Sequence, residues 1–462
     1  MVVLKFGGTS VADVPSIRRV AGIVAAEGRP RTVVVSALGG VTDALLHLAA
    51  GGGTIPGNPP PRALDMLLRR HTAVAQMIRD RAARASLEHE LYAIAAHVAA
   101  TLESAPGRLS PRSRDEVAAA GELWSSRLMA AVLKDHGMTS AWVDARHVMR
   151  TNSHHGSATP DLDATKDAAT RVLVPYLAGG CVAVLGGFIG SDSNGATTTL
   201  GRGGSDCSAA VFGACLDAAE IQIWTDVDGV LTADPRVVPH ARPVPRLSYG
   251  EAHDLAFFGA KVLHPGTIQP AVDRGIPVLV RNSHRPGVPG TVVGVHDVLA
   301  PAAPVAGLAC RAGATLIEAV ALGDDAGDRF VTDVFAELQS HGVDAALADV
   351  YGPRLVFTVQ DVADVESVRV SLSRIAEVRV VTGLATVSVV GEGLAADPQL
   401  TADATRALGD LPIQLVARPS GGRTLAFVVD ARQTSTVMSR LHDCFFGAAC
   451  RRAGVGSRVV QA

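Results

Sequence analysis

The hydrophobic pattern changes character about two thirds of the way along the chain. Through roughly the first 295 residues, short apolar runs alternate with helical periodicity. Val2–Phe6 predicts a strand; after a turn, Ile17, Val20, Ala21 and Val24 recur at i, i+3, i+4 and i+7 behind Pro15, one buried stripe of a helix. Thr32–Ala37 predicts a second buried strand, followed by Gly39, Gly40 and a helix. Residues 51–61 (GGGTIPGNPPP) predict a loop, and a long helical region is expected from about 62 to 136. Later strands are expected at Ala141–Asp144, Cys181–Leu185, Glu220–Thr225 and Ile276–Val280, with a hairpin tipped by Ser193-Asn194-Gly195 between the second and third. Strands alternating with helices predict an α/β region with a mainly parallel sheet covered on both faces.

The C-terminal third reads differently. Thr315–Leu322, Phe330–Ser340, Val343–Ala348, Arg354–Val359 and Val362–Ile375 form a βαββα run. Ala385–Val390, Leu400–Leu408, Ile413–Ala417, Thr424–Val429 and Gln433–Phe445 repeat it, and Leu355-Val356-Phe357 superposes on Leu425-Ala426-Phe427 at an offset of 70. Two copies of a small α+β module are therefore expected, with a linker rich in Ala and Pro before them. The expected division is 1–295, a linker at 296–313, and modules at 314–383 and 384–462.

Composition narrows the possibilities. With 462 residues, 48% hydrophobic and a net charge of −3, the chain cannot be disordered, and length alone suggests about three domains. The 42 basic and 45 acidic residues are interspersed, which argues against nucleic acid as a partner. The 20 uncharged residues from Val172 to Ser191 would be a membrane suspect, but Pro175 and five glycines break a spanning helix. No secretory signal opens the chain, because Lys5-Phe6-Gly7-Gly8 interrupts the first apolar run. The 6 cysteines form no CxxC pair, as expected of free thiols in a reducing cytoplasm. No histidine has metal-ligand spacing to a second His or Cys, so no metal ligands are assigned among the side chains. Only Lys5, Lys134, Lys166 and Lys261 are lysines; the other basic residues are arginine, so a lysine here hints that a compact ammonium is wanted.

Three glycine-rich turns carry candidate chemistry. Lys5-Phe6-Gly7-Gly8-Thr9-Ser10 ends the first strand, where glycine amides and a lysine suit an anion; taken alone, it reads more readily as a structural turn. Gly201-Arg202-Gly203-Gly204-Ser205-Asp206 opens a helix, either as an anion site with an acid beside it or as a helix capped by Ser205 or Asp206. Thr225-Asp226-Val227-Asp228-Gly229 ends a strand, a place for a nucleotide or a plain Asp-Gly turn.

Taken together, KFGGTSVAD (5–13), GEL (121–123), GFIGS (187–191), TTTLGRGGSD (197–206), WTDVDGVLTADPR (224–236) and FGAKVLHPGT (258–267) resemble the aspartate kinases of the amino-acid kinase superfamily, in order and spacing. The tandem repeat resembles the paired ACT domains of that family. The resemblance implies an α/β/α sandwich followed by two βαββαβ modules that interlock or exchange a strand. It implies transfer of the ATP γ-phosphate to the β-carboxylate of L-aspartate with Mg²⁺, opening the routes to lysine, threonine and methionine or a specialised branch such as ectoine. No dinucleotide fingerprint follows, so no fused homoserine dehydrogenase is expected.

The resemblance assigns roles residue by residue. Lys5, with the Gly7 and Gly8 amides, matches the γ-phosphate cradle, and Lys261 matches a second phosphate cation with Val262 beside it. Phe6, Thr225, Asp226, Leu231 and Arg236 match nucleotide positions, Leu231 replacing a frequent aromatic. Arg202 would clasp the substrate α-carboxylate, Glu122 the α-ammonium, and Ser36 and Thr42 would stand near the aspartate. Asp206 would organise the reacting centre; Glu122 also reads as a solvated carboxylate on its helix. A cytoplasmic homodimer, or a dimer of dimers, is implied, with an amino-acid effector at the modules. For lysine as effector, an acid is expected near Ala346 and a serine at Tyr351, so lysine inhibition is expected to be weak unless Asp324, Asp325 and Asp328 compensate. The competing readings are another carboxylate or carbamate kinase of this fold, and a catalytically dead amino-acid sensor.

Overall fold

Five consecutive buried residues make β1 (Val2–Phe6), as a strand covered on both faces requires. The computed structural model describes residues 1–51, 60–104, 109–260, 265–295, 303–322, 329–419 and 421–447. Helix α1 (Val14–Ala26) starts where Asp13 accepts the Ser16 N–H at 2.9 Å, with Pro15 in its first turn, and it buries Ile17, Val20, Ala21 and Val24. Strand β2 (Arg31–Val35) and α2 (Val41–Ala49) follow. The expected long helical region consists of α3 (Pro60–Ala75), α4 (Arg81–Glu103) and α5 (Pro111–Asp135). Local chemistry sets those starts. Asp80 accepts from the Ala82 and Ala83 amides, and Ser110 accepts from the Ser113 amide before Pro111.

Beyond these lie β3 (Ser140–Trp142), α6 (Leu162–Val172), α7 (Val174–Ala178), β4 (Val182–Gly186), β5 (Ile189–Ser191), β6 (Thr197–Thr199), α8 (Gly204–Cys215) and β7 (Glu220–Thr225). The expected hairpin is β5–β6. The uncharged run from Val172 resolves into α7, a turn with Gly180 at φ +70° and the buried β4. Among the described residues no helix is long and apolar enough to cross a membrane.

Residues Met1–Val230 and Leu263–Leu299 form one compact unit, and Leu231–Val262 and Ala300–Ala462 another. The 231–262 segment carries β8 (Arg246–Ser248) and α9 (Tyr249–Phe257); the first unit resumes with α10 (Gln269–Asp273), β9 (Val278–Asn282) and β10 (Thr291–Gly294). Its strands run in the order β3-β4-β2-β1-β7-β9-β10. All neighbours are parallel except β9–β10. Ile17, Val20, Leu45, Leu91, Trp124 and Leu128 fill the core between this sheet and its helices.

The second unit is built on β11 (Gly307–Ala321), α11 (Arg329–Ser340), β12 (Ala345–Tyr351), β13 (Arg354–Gln360), α12 (Val365–Leu372), β14 (Ala376–Val390), α13 (Gly393–Ala396), α14 (Pro398–Leu408), β15 (Ile413–Ala417), β16 (Thr424–Asp430) and α15 (Thr434–Phe446). Its sheet runs β12-β13-β11-β14-β16-β15. The two central strands pair antiparallel along their length, 307–312 of β11 against 385–390 of β14 and Leu316–Ala321 against Ala376–Val381. Each half of β11 thus serves a different module, and Gly313, at φ +81°, stands at the irregular crossing. Residues 296–302 of the expected linker lie outside the described residues, and Gly307–Gly313 is already strand. The 70-residue repeat has a packing counterpart: Leu355 and Phe357 sit in one core, Leu425 and Phe427 in the other.

Candidate active site

Three sequence-remote turns of the first unit meet at the end of β1. Gly8 lies so close to the chain after β2 that a Cβ there would stand 2.9 Å from the Ala37 carbonyl oxygen. Gly121 does the same for α5: a Cβ would fall 2.7 Å from the Ala37 Cβ. This close approach brings Glu122 inward, where its Oε1 accepts the Ala37 N–H at 3.1 Å. At the third turn, Gly201 and Gly203 adopt φ near +70° and let α8 begin with Asp206 in its first turn. The helix cap is Gly203, so neither Ser205 nor Asp206 is needed as a cap.

These turns enclose a cavity of about 330 Å³ lined by Lys5, Ser36, Thr42, Asp43, Glu122 and Asp206. A second cavity, about 520 Å³, shares Thr42, Asp43 and Phe188 with it and adds Arg202, Arg114 and His155. Lys5 Nζ stands 2.6 Å from Asp206 Oδ1, with both side chains largely sequestered. Asp206 is thus paired with the Lys5 ammonium at the cavity wall.

Glu122 is the most unusual group. It is buried, its Oε2 has no hydrogen-bond partner, and burial pushes its pKa up to about 8 despite the Ala37 hydrogen bond. A carboxylate held in this way gains from an incoming ammonium, because an opposite charge offsets the desolvation that raises its pKa. The reading of Glu122 as a solvated side chain is excluded by its burial.

Two of the expected nucleotide contacts are engaged within the protein. The Gly7 N–H is already donated to the Trp224 carbonyl at 3.1 Å, so this amide is not open to a phosphate. Phe6 is fully buried with its ring stacked near Trp224, so its side chain supports the strand end and does not face the cavity. Thr225 and Asp226 do end β7, the Thr225 hydroxyl donating to Asp226 at 3.2 Å. Leu231 and Arg236 belong to the second unit, where the Arg236 guanidinium is held by Asp234 at 3.0 Å. Lys261 and Val262 lie outside the described residues.

Sequence reasoning missed a supporting layer. Asp115, buried on α5, accepts from the Thr199 hydroxyl at 2.6 Å and the Gly156 amide at 3.1 Å and contacts His155 at 2.9 Å. It thus pins the 154–156 loop beside Arg202. Phe188 takes a left-handed backbone conformation (φ 65°), and its N–H donates to Ser208 at 2.9 Å; this unfavourable geometry for a bulky residue occurs at the wall of both cavities. The Gly-Phe dipeptide at a strand end is the available sequence signal, and it is faint.

Comparison with known proteins agrees with this geometry. Residues 1–282 match the family described as the amino acid kinase family. The lysine-sensitive aspartokinase 3 of Escherichia coli is 34% identical over 454 residues, spanning 96% of this chain and 99% of the relative. The crystal structure of Escherichia coli aspartokinase III with aspartate and ADP (R-state) superposes with a TM-score of 0.82, covering 96% of this chain and 100% of that one at 34% identity. Its lysine- and aspartate-bound T-state gives 0.80, covering 96% and 99%, also at 34% identity. The chain is thus a member of the aspartokinases, within the amino acid kinase family.

Proposed function

We propose that this aspartate kinase joins L-aspartate and ATP in the cavity bounded by Lys5, Glu122 and Asp206, yielding 4-phospho-L-aspartate and ADP. A carboxylate is already nucleophilic at neutral pH, so the task is to bring two anions together and to neutralise charge on the transferred phosphoryl group. Lys5, held by Asp206 at 2.6 Å, meets that charge. Glu122 takes the substrate ammonium, Arg202 the α-carboxylate, and Ser36 and Thr42 orient the β-carboxylate. Gly8, Thr225, Asp226, Leu231, Arg236, Lys261 and Val262 remain proposed nucleotide contacts, as the family resemblance implies. The cavity's oxygen donors, Asp43, Asp206, Ser36 and Thr42, are of the hard kind that suits Mg²⁺, which supplies charge neutralisation when bound with the nucleotide.

One observation carries the substrate class: a buried carboxyl with an unpartnered oxygen facing the reaction space. An N-acylated substrate offers it no cation, which disfavours the other acyl kinases; the intact Lys5–Asp206 pair disfavours a dead sensor. The experiment is a hydroxylamine trap with aspartate, glutamate and N-acetylglutamate. Product from aspartate alone is expected; product from N-acetylglutamate alone overturns the assignment.

Regulation belongs to the second unit. The first module carries a cavity of about 570 Å³ lined by Arg311, His341, Asp344, Asp361 and Asp364, charges of both signs that suit a free amino acid. Ala346 lies in the same lining, and Tyr351 is 81% exposed, so neither supplies the acid or the serine expected of a lysine grip. Asp324, Asp325 and Asp328 lie outside the described residues. The proposal is amino-acid control with weakened response to lysine, in a cytoplasmic homodimer assembled through the modules at 314–383 and 384–462, with the kinase region at 1–295.

A further inference from the structure

The second unit brings together three metal-ligating side chains separated by up to 203 positions. His240 lies on the loop after Val238, and His442 and Asp443 are neighbours near the end of α15. One ligand atom from each lies within 4.8 Å of the others. His240 Nε2 and Asp443 Oδ1 are 3.2 Å apart, about the edge of a coordination tetrahedron with ~2 Å bonds. The rings of His240 and His442 stand 4.7 Å apart, edge to face. His442 is fully buried, yet its Nδ1 has no hydrogen-bond partner. An imidazole nitrogen buried without a partner costs free energy that a ligand recovers.

The surroundings are organised as a metal-binding histidine requires. His442 Nε2 contacts the Thr232 hydroxyl at 2.9 Å, the kind of outer contact that fixes a ligating ring. Thr232 also accepts the Arg242 N–H at 3.0 Å, and its own N–H donates to the Arg242 carbonyl at 2.8 Å. The loop that carries His240 is thereby closed at its base. His240 and Asp443 are exposed, which leaves an entry path and an open coordination position.

We propose that His240, His442 and Asp443 form a binding site for a borderline transition-metal cation of the Zn²⁺ type, which ties the 231–262 segment to α15. Two imidazoles and one carboxylate suit Zn²⁺, Co²⁺ or Ni²⁺ and discriminate against Mg²⁺, which prefers oxygen. The site contains none of the residues assigned to phosphoryl transfer, so its failure and the failure of the kinase assignment are distinguishable.

The test uses the full chain, stripped with chelator and titrated with CoCl₂ and then ZnCl₂ without nucleotide. Wild-type protein is expected to bind one Co²⁺ with visible d–d bands, to release it to Zn²⁺, and to melt at higher temperature with Zn²⁺. H240A and D443A, both at exposed positions, are expected to weaken binding at least about tenfold while hydroxamate formation from aspartate and Mg-ATP is kept. Identical Co²⁺ binding by wild type and by the H240A/D443A double variant overturns the proposal, as does absence of stoichiometric binding by the wild type.

Discussion

Two buried polar clusters, one in each unit, serve opposite ends. In the first, Glu122 is buried with an oxygen left unpaired and a pKa pushed to about 8, and Lys5 and Asp206 are sequestered as an ion pair. In the second, Ser248 and Glu251 complete a reciprocal capping box on α9, and Glu251 and Ser248 also engage Glu392. There the polar groups tie the 231–262 segment to the repeated modules. The difference between these two clusters is compensation: the candidate cavity keeps Glu122 Oε2 unpaired, whereas Ser248, Glu251 and Glu392 satisfy one another, and His442 Nδ1 is the place where the second unit too keeps a group unpaired.

The sharpest way to break this comparison is to remove the cation. Lys5→Met is expected to lower the aspartate-dependent rate by about 10²–10³-fold, the scale of losing one preorganised charge, with the circular dichroism spectrum retained. Unchanged turnover would show that Lys5 is only a structural partner of Asp206. Next in size is Glu122→Gln. Losing a charged hydrogen bond of about 1.5–3 kcal/mol raises the KM for aspartate roughly 10- to 100-fold, with a smaller change in kcat. A purely structural Glu122 would leave the KM where it is.

The same residue gives a pH prediction. Its folded pKa, about 8, lies above the ordinary carboxyl value of 4.5, so between those values the folded state holds a proton that the unfolded chain has released. Stability of the ligand-free protein therefore falls as pH rises through that window. Glu122→Gln removes the loss, so its melting temperature relative to wild type should climb from pH 5 to pH 8 (both roughly the ends of the window). Melting curves that stay parallel across the window would place Glu122 in contact with water.

Smaller effects probe packing and regulation. Gly121→Ala places a methyl 2.7 Å from the Ala37 Cβ, and overpacking of this kind costs about 1–3 kcal/mol, read as a lower melting temperature and a raised KM for aspartate. In the second unit, sub-millimolar lysine is expected to leave most of the activity, since the Ala346 and Tyr351 positions lack charged or hydroxyl-bearing partners of the right size. Half-inhibition at that concentration would show that the module recognises lysine through other groups.

Much of the fold was legible because it is written in local order. The i, i+3, i+4 stripe of Ile17, Val20, Ala21 and Val24 became the buried face of α1, and the repeat of Leu355 and Phe357 at Leu425 and Phe427 became two matched cores. The boundaries inside the long helical region are not legible in the pattern, because caps such as Asp80 and Ser110 are weak signals within polar sequence. Lys5, Glu122 and Asp206, singled out by separate motifs, line one cavity, while the Gly7 amide of the expected cradle is donated to Trp224.

Periodicity, turn residues and the ordered motifs determined the α/β class, the duplicated C-terminal module and the identity of the candidate site residues, since each depends on neighbours within a turn or a strand. Only the tertiary structure decided that Glu122 is desolvated, that Asp206 holds Lys5, that β11 serves both modules, and that His240 meets His442 and Asp443. Those outcomes depend on distances between remote segments and on the exclusion of water, and neither quantity is a property of a residue's place along the chain.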